Sequence, residues 1–287
     1  MTSSKFDISS PDKLYFPDSE ITKGDILEYY QRISGFMLGY LKNRPLVLQR
    51  FPEGIDGESF YQKQVPDYFP DWIETVEVMK KGDGTKQQLV VCNDQDTLLY
   101  LVNQGTLTFH PWLSRKDRLD VPDRAVIDLD PSSDDPAQVR QAARVVCEAL
   151  AEREIIVCPT TTGSSGYHLV IPLRRGDTFD QVRDKLKKLS DELVQAHPDL
   201  LTAEQRKKKR GDKVYLDIAR NAYAQTSVSI YSVRALPGAP VATPLTLAEL
   251  DRSELSPRSY TVDNIFRRLA QKKVVWGKTQ LETQQRL

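Results

Sequence analysis

The stretch Ala125-Val126-Ile127-Asp128-Leu129-Asp130-Pro131 decides how the rest of the chain is read. It is a short apolar run that carries two carboxylates two residues apart and stops at a proline. Side chains alternate faces along a β-strand, so Asp128 and Asp130 share one face. Same-facing carboxylates repel each other unless a cation sits between them. Hard divalent ions such as Mg2+ and Mn2+ take carboxylate oxygens. An ordinary strand exit with solvated acids has the same spacing, so the motif alone leaves both readings open.

Downstream, Ser132-Ser133-Asp134-Asp135-Pro136 supplies N-cap candidates and a proline suited to a first helical turn. The periodicity predicts a helix to about Arg153, with Val139, Ala142, Ala143, Val146, Ala149 and Leu150 inward. Ile155 to Pro159 then returns as a strand, which suggests a crossover unit whose strand direction stays open. Thr160-Thr161-Thr162-Gly163-Ser164-Ser165-Gly166-Tyr167-His168 follows, a hydroxyl- and glycine-rich loop feeding an apolar strand. Its glycines let backbone N–H groups approach an anion, and its hydroxyls and His168 can add hydrogen bonds. It lacks the Gly-Lys-Ser/Thr of a P-loop, and a plain Ser/Gly hairpin fits it equally. Val214 to Ile218 is a further strand with an internal acid, Asp217. An acid in an apolar strand needs a partner; Arg220 is one and a metal is another. Thr226 to Val233 reads as a strand ending at Arg234, and Val262 to Leu269 as a last helix before a polar, loose tail from Gln271.

Upstream, Thr106 to Trp112 alternates and breaks at Pro111, leaving His110 at a strand end, a common place for site residues. Phe60 and Tyr61 beside Lys63, in a short strand, suit either a core edge or base stacking with a phosphate contact. Further strands are expected at Pro45–Arg50, Ile73–Val78 and Gln88–Cys92, with a turn at Gly82-Asp83-Gly84 and a helix at Asp96–Gln104. Pro11 to Pro17 reads as an irregular arm, and Thr22 as the N-cap of a helix carrying Ile26, Tyr29, Tyr30, Ile33, Met37 and Tyr40. Lys13 and Lys23 bracket that helix start, where anions are favoured. An amphipathic helix runs from Phe179 to Val194. The run Gln205 to Lys213 holds six cations against one acid; it is a solvated loop or a nucleic-acid contact.

The chain has 287 residues with 40 basic and 40 acidic side chains, so any basic surface must come from local clustering. At 39% apolar and 28% charged it suits a folded globular protein. The start Met1-Thr2-Ser3-Ser4-Lys5 has no apolar leader, and no run reaches membrane-spanning length. Cys92, Cys147 and Cys158 form no CxxC pair, which argues against a disulfide framework or zinc ribbon and for a reducing, cytoplasmic setting.

Several of these stretches together resemble the polymerase domain of bacterial DNA ligase D, a branch of the archaeo-eukaryotic primase superfamily. The likeness runs from about Lys13 to Glu249. It is carried by Asn43-Arg44-Pro45-Leu46, Phe60-Tyr61-Gln62-Lys63, Leu107 to Trp112, Asp128-Leu129-Asp130-Pro131 and Thr162 to His168. Asp217, Asn221, Tyr231-Ser232-Val233-Arg234 and Thr243-Pro244-Leu245-Thr246 complete it. The resemblance implies a mixed α+β primase-like fold in one catalytic domain over 1–287. A DNA-end-binding part would take about 1–105, the catalytic core about 106–250 and a C-terminal helix and tail the rest. It implies that Asp128, Asp130 and Asp217 hold two divalent metals, Mn2+ or Mg2+, and that His110, Thr162, Ser165, His168, Arg220 and Arg234 surround the incoming NTP or dNTP. Phe60 and Tyr61 would stack on templating DNA with Lys63 beside them, and Lys13 and Lys23 would grip a 5′-phosphate at a gap or break. The implied activity is template-dependent filling and extension of broken ends, favouring ribonucleotides, with Ku and an ATP-dependent ligase as partners in a nucleoid-associated setting. Three departures stand out: Thr162 replaces a serine, Ser165 stands where a lysine can occur, and Tyr61 replaces a phenylalanine. The expectation extends to a stand-alone polymerase or an excised domain, since no ligase or nuclease part is visible. Three rivals remain: a de novo primase, a non-catalytic DNA-end binding module and a metal-dependent phosphohydrolase.

Overall fold

A computed structural model describes residues 5–80, 82, 84–271 and 285–287. In chain order its first half comprises β1 (Leu14–Phe16), β2 (Ile21–Thr22), α1 (Lys23–Leu41), β3 (Leu46–Arg50), β4 (Phe60–Gln62), β5 (Thr75–Met79), β6 (Lys86–Val90), α2 (Gln95–Asn103) and β7 (Thr106–Pro111). Then come β8 (Ser114–Arg115), β9 (Arg118–Pro122), β10 (Arg124–Asp130), α3 (Pro136–Ala151), β11 (Cys158–Thr161), β12 (Tyr167–Pro172), α4 (Phe179–Ala196), β13 (Leu201–Thr202), β14 (Val214–Asp217), β15 (Thr243–Pro244) and α5 (Ile265–Gln271). The mixed α/β class expected from the sequence is what the chain adopts.

The helices start where the sequence supplies oxygen acceptors. Thr22 and Asp25 close a capping box on α1, Asp135 caps α3 with Pro136 in its first turn, and Thr178 and Gln181 box α4. The main sheet has the order β13-β14-β10-β12-β11-β15. β10 and β11 both pair antiparallel with β12, so they run in the same direction without touching. This settles the crossover: α3 carries the chain over β12, which is inserted later.

Period-two alternation sorts β10. Ala125, Ile127 and Leu129 join Val139, Val146 and Leu150 of α3 and Leu186 and Leu193 of α4 in one core. Each fully buried large aliphatic there contributes about 1.5–3 kcal/mol. Asp128 and Asp130 are left on the opposite face. A second core forms where α1 and α2 cover the sheet β4-β3-β7. The two sheets meet where β7 and the irregular segment after β14 come beside β10.

Four expectations need correction. The arm before α1 contains β1, which turns through a 3-10 turn at Pro17–Ser19 to pair with β2. Thr226 to Val233 is not a strand: it makes isolated bridges, Trp112 with Thr226 and Val233 with Val241, and Tyr231 sits at φ 65°. Side chains replace the ladder there. The Val233 N–H donates to the Tyr30 hydroxyl at 2.9 Å, the Phe109 N–H to Ser232 Oγ at 2.8 Å and Thr108 Oγ1 to the Val233 carbonyl at 2.7 Å. β11 begins at Cys158 rather than Ile155, because Glu154 leaves α3 through φ 58°. The last helix starts at Ile265. Asp83 of the expected turn and most of the C-terminal tail lie outside the described residues.

Candidate active site and nucleic-acid face

Strand register builds the acidic centre. Asp128 lies directly opposite Asp217 on β14 and opposite His168 on β12. One row across three strands therefore reads Asp217, Asp128, His168, with Asp130 two residues along β10. Asp128, Asp130 and Asp217 each bring a carboxylate oxygen within 4.8 Å of the others. Burial and the charges of Asp128 and Asp217 push the Asp130 carboxyl up to about 6. Burial acts the same way on Asp128, but His168, whose Nε2 is 3.5 Å from Asp128 Oδ1, and then Arg220 and Arg234 outweigh it and hold Asp128 below its ordinary value. Three crowded oxygen ligands, one made harder to ionise by burial and by the others, fit a hard divalent cation, which would relieve that repulsion.

A cleft of about 280 Å³ opens over this row. Tyr61, His110, Asp128, Asp130, Thr162, Ser165, His168, Arg220 and Arg234 line it, so nine residues singled out from the sequence converge on one space. Arg234 Nη1 donates to the Thr162 carbonyl at 2.8 Å. A Cβ on Gly163, at φ 67°, would sit 2.8 Å from Arg234 Cγ. The glycine is there because the arginine stem passes over it. Gly166 is tighter still: a Cβ would lie 2.1 Å from the Leu129 carbonyl oxygen. The Ser164 and Gly166 amides turn inward onto Thr162 Oγ1, at 3.2 and 3.3 Å. The threonine hydroxyl thus shapes the loop, and those two amides are not presented to an anion.

Asn221 is 1% exposed and completes the β10 ladder past the end of β14. Its Oδ1 accepts from the Val126 N–H at 2.8 Å and its Nδ2 donates to the Val126 carbonyl at 2.6 Å. That clamp fixes the neighbouring Arg220. His110 is half-buried, and desolvation followed by Arg234, Arg220 and His168 drops its pKa to about 3. It is therefore neutral at physiological pH, and its ring meets Tyr61 edge-on with centroids 5.7 Å apart.

Phe60 and Tyr61 are 47% and 58% exposed, too open for core residues. Arg50 lies against Phe60: its guanidinium is 5.2 Å from the Phe60 ring centroid, bonds Gln62 and donates to the Tyr68 hydroxyl at 2.8 Å. Phe60 and the exposed Lys63 stand outside the cleft, on the same short strand edge. Lys13 and Lys23 lie elsewhere, at the start of α1. Lys13 Nζ pairs with the Glu53 carboxylate at 2.9 Å. Lys23 is buried, donates to Ser9 Oγ at 2.9 Å, and burial with Lys13 nearby lowers it to about 8. The Lys23, Gly24 and Asp25 amides are taken by Lys13, Pro11 and Thr22, so an anion here would meet ammonium groups rather than helix amides.

Ser164, Gly166, Thr226, Ser227 and Val228 also line the cleft without having been singled out. The first two sit in the quoted loop and could have been included; the others come from the segment misread as a strand. Of the basic run, Lys207–Lys209 form an exposed 3-10 turn, while Arg210 folds back over the Tyr215 ring at 4.2 Å. Lys207 reaches a neighbouring cavity of about 390 Å³ that shares Ser164 and Ser165 with the main cleft.

A carboxylate cluster that could hold a metal ion, set between strands and flanked by arginines and a hydroxyl-rich loop, marks the site of this mixed α/β protein. The chain belongs to the family of LigD primase-polymerase domains, whose model matches residues 22–276. It is 36% identical over 268 residues to the bifunctional non-homologous end joining protein LigD of Bacillus subtilis (strain 168), covering 92% of this chain and 42% of that protein. It is 31% identical over 272 residues to the multifunctional non-homologous end joining DNA repair protein LigD of Mycobacterium tuberculosis (strain ATCC 25618 / H37Rv), covering 92% and 35%. The chain thus spans less than half the length of these relatives. Its fold is similar to that of the polymerase domain from Mycobacterium tuberculosis ligase D in complex with DNA, with a TM-score of 0.89, 27% identity, and coverage of 98% of this chain and 100% of that one. Among the described residues no helix is long and apolar enough to cross a membrane.

Proposed function

We propose that this chain is a template-dependent nucleotidyltransferase that fills gaps and extends 3′ ends at DNA breaks in non-homologous end joining. The observation that carries this reading is the row Asp217, Asp128, His168, of which Asp128 and His168 line a cleft shared with Arg220, Arg234 and the exposed Tyr61. Acids for cations, cations for phosphate and an aromatic for a base stand within one space.

Asp128, Asp130 and Asp217 would hold two divalent cations, Mn2+ or Mg2+. Bound there, such ions supply activation of a primer 3′-hydroxyl and charge for the departing pyrophosphate. Arg234, Arg220 and His168 hold the triphosphate and neutralise charge as it develops. Thr162 and Ser165 shape and edge that pocket. Neutral His110 contributes hydrogen bonding without adding charge, and separates the nucleotide from the Phe60–Tyr61 platform on which a template base stacks. Lys63 would contact the template backbone, and Lys13 and Lys23 a downstream 5′-phosphate. In this reading residues to about 105 receive the DNA end and about 106–250 catalyse, with 251–287 as a C-terminal helix and tail. Ribonucleotide preference, partnership with Ku and an ATP-dependent ligase, and a cytoplasmic, nucleoid-associated place belong to the same proposal.

The test is primer extension on gapped, 5′-phosphorylated DNA, comparing NTPs with dNTPs and Mn2+ with Mg2+, with Asp128→Asn as control. Templated incorporation lost in the variant is expected. Synthesis only without a primer would turn the reading to a primase, nucleotide hydrolysis alone to a phosphohydrolase, and end binding without incorporation to a binding module.

A further inference from the structure

At the end of β10 remote from its acids, three guanidinium groups crowd round one carboxylate. Asp123 lies 2.7 Å from Arg44 Nη2, 2.6 Å from Arg115 Nε and 3.9 Å from Arg124 Nε. Arg44 is 1% exposed and Asp123 is largely buried. Other donors go to neutral carbonyls: Arg44 Nη1 to Trp112 and Ser114, Arg115 Nη1 to Lys42 and Arg124 Nη2 to Tyr40, each at 3.3 Å. Tyr40 and Lys42 lie at the C-terminal end of α1, whose dipole supplies about half a negative charge. Three positive charges against one carboxylate and that dipole leave more than one unbalanced charge, with Arg44 and Arg124 largely out of water and Arg115 at the rim. Guanidinium does not shed its proton to escape this. Buried charge without a counter-charge is strongly unfavourable.

A small cavity adjoins these groups. It measures about 30 Å³ and is walled by Arg44, Arg115, Asp123 and Arg124, with Gly39, Tyr40, Cys158, Val170 and Pro172 completing it. Burial pushes the Cys158 thiol up to about 12, so it brings no negative charge. Arg44 Nε and Asp123 Oδ1, among these residues, are buried with no hydrogen-bond partner. A water needs about 10–15 Å³ by this kind of measure, so the space takes two or three water-sized groups. That is room for a monatomic anion and too little for the four oxygens of phosphate or sulfate.

We propose that this cavity binds one halide ion, chloride, held by Arg44, Arg115 and Arg124. The ion sits at the joint between the two sheets: Arg44 grips the carbonyls that follow β7, and Arg124 opens β10. It would supply the counter-charge that lets β7, with His110, lie beside the strand that carries Asp128.

Crystals soaked in sodium bromide test this directly, since bromide scatters anomalously. A peak in contact with the three arginines is expected. Melting is followed in parallel in sodium chloride and in sodium gluconate at equal sodium. A ligand bound only by the folded state raises the melting temperature as its concentration rises. Chloride should therefore stabilise the wild type beyond gluconate. Arg115 lies at the rim with about a third of its side chain exposed, so Arg115→Gln spares the buried Arg44 clamp. Arg115→Gln should lose the chloride-specific rise, and Arg115→Lys should keep it. Absence of the bromide peak, equal response to both salts in the wild type, or an undiminished chloride response in Arg115→Gln would each overturn the proposal.

Discussion

Asp128 and Asp217 stand directly opposite each other across β10 and β14. Like charges facing across an antiparallel pair are destabilising, by up to roughly 1 kcal/mol. His168, Arg220 and Arg234 offset part of that repulsion on Asp128, and a bound cation would relieve the rest. Asp217→Asn should therefore melt slightly higher than wild type in chelator, by an amount equivalent to about 0.5–1 kcal/mol. It should lose the rise that wild type shows on adding Mn2+, and lose nucleotide incorporation by at least ~10³-fold. Paired melts with and without metal, run beside primer extension, decide it. A variant that still incorporates nucleotides at the wild-type rate would remove Asp217 from the site.

Gly166 passes under the Leu129 carbonyl with no room for a side chain. Gly166→Ala must push the phosphate loop away from β10 or distort both. A loss of about 1–3 kcal/mol of stability is expected, with the larger effect on nucleotide affinity. Chemical denaturation and the KM for nucleotide measure the two. Gly176, whose Cβ position is open, is the neutral control as Gly176→Ala.

Burial and Lys13 lower Lys23 to about 8, below the ordinary lysine value of 10.5. The folded state thus binds fewer protons than the unfolded chain between about pH 8 and 10.5. Folding stability from this group rises with pH across that window. The charge available to a phosphate is lost across the same window. Affinity for 5′-phosphorylated gapped DNA should fall as pH rises through 8, while that for the unphosphorylated gap changes less. Lys23→Arg, which keeps its charge, should flatten the profile. Fluorescence anisotropy from pH 7 to 9.5 is the measurement, and an identical profile for both DNAs would remove Lys23 from the phosphate grip.

Phe60→Ala and Tyr61→Ala should each weaken binding of a template overhang by about 1–3 kcal/mol, the range for loss of one base–aromatic stack. Arg50→Ala should weaken it without touching DNA, because Arg50 lies against the Phe60 ring and holds Tyr68. Tyr61→Phe should behave as wild type. Quenching of a fluorescent base at the templating position separates stacking from simple electrostatic binding.

Much of the site was legible because its residues sit in period-two strands. Asp128, Asp130, Asp217 and His110 could be placed on strands from alternation, while His168, read at the end of the loop, proves to lie in β12, and register then had to bring them together. Two helices were legible from their caps at Thr22 and Asp135, and α4 from its apolar spacing. What failed was irregular backbone held by side chains. Thr226 to Val233 has apolar alternation, yet the Tyr30 hydroxyl and Ser232 Oγ replace a strand partner there, and both contacts span about 200 residues or more than 100. Neither propensity nor spacing encodes contacts of that range. The phosphate-loop amides were misjudged for a similar reason: Thr162 competes for them locally. Arg50 gave no signal, since its role depends on rings that fold over it.

The Tyr30 hydroxyl that holds Val233 sits seven residues along α1 from Lys23. At 1.5 Å per residue that is about 10 Å of rigid helix. Lys23 stands at one end of this strut, and the segment carrying Arg234 hangs from its side. The separation between end grip and nucleotide pocket is then set by a helix rather than by flexible loops. On the proposed function, α1 works as a ruler, so the length of gap that can be filled is written into the protein's own scaffold.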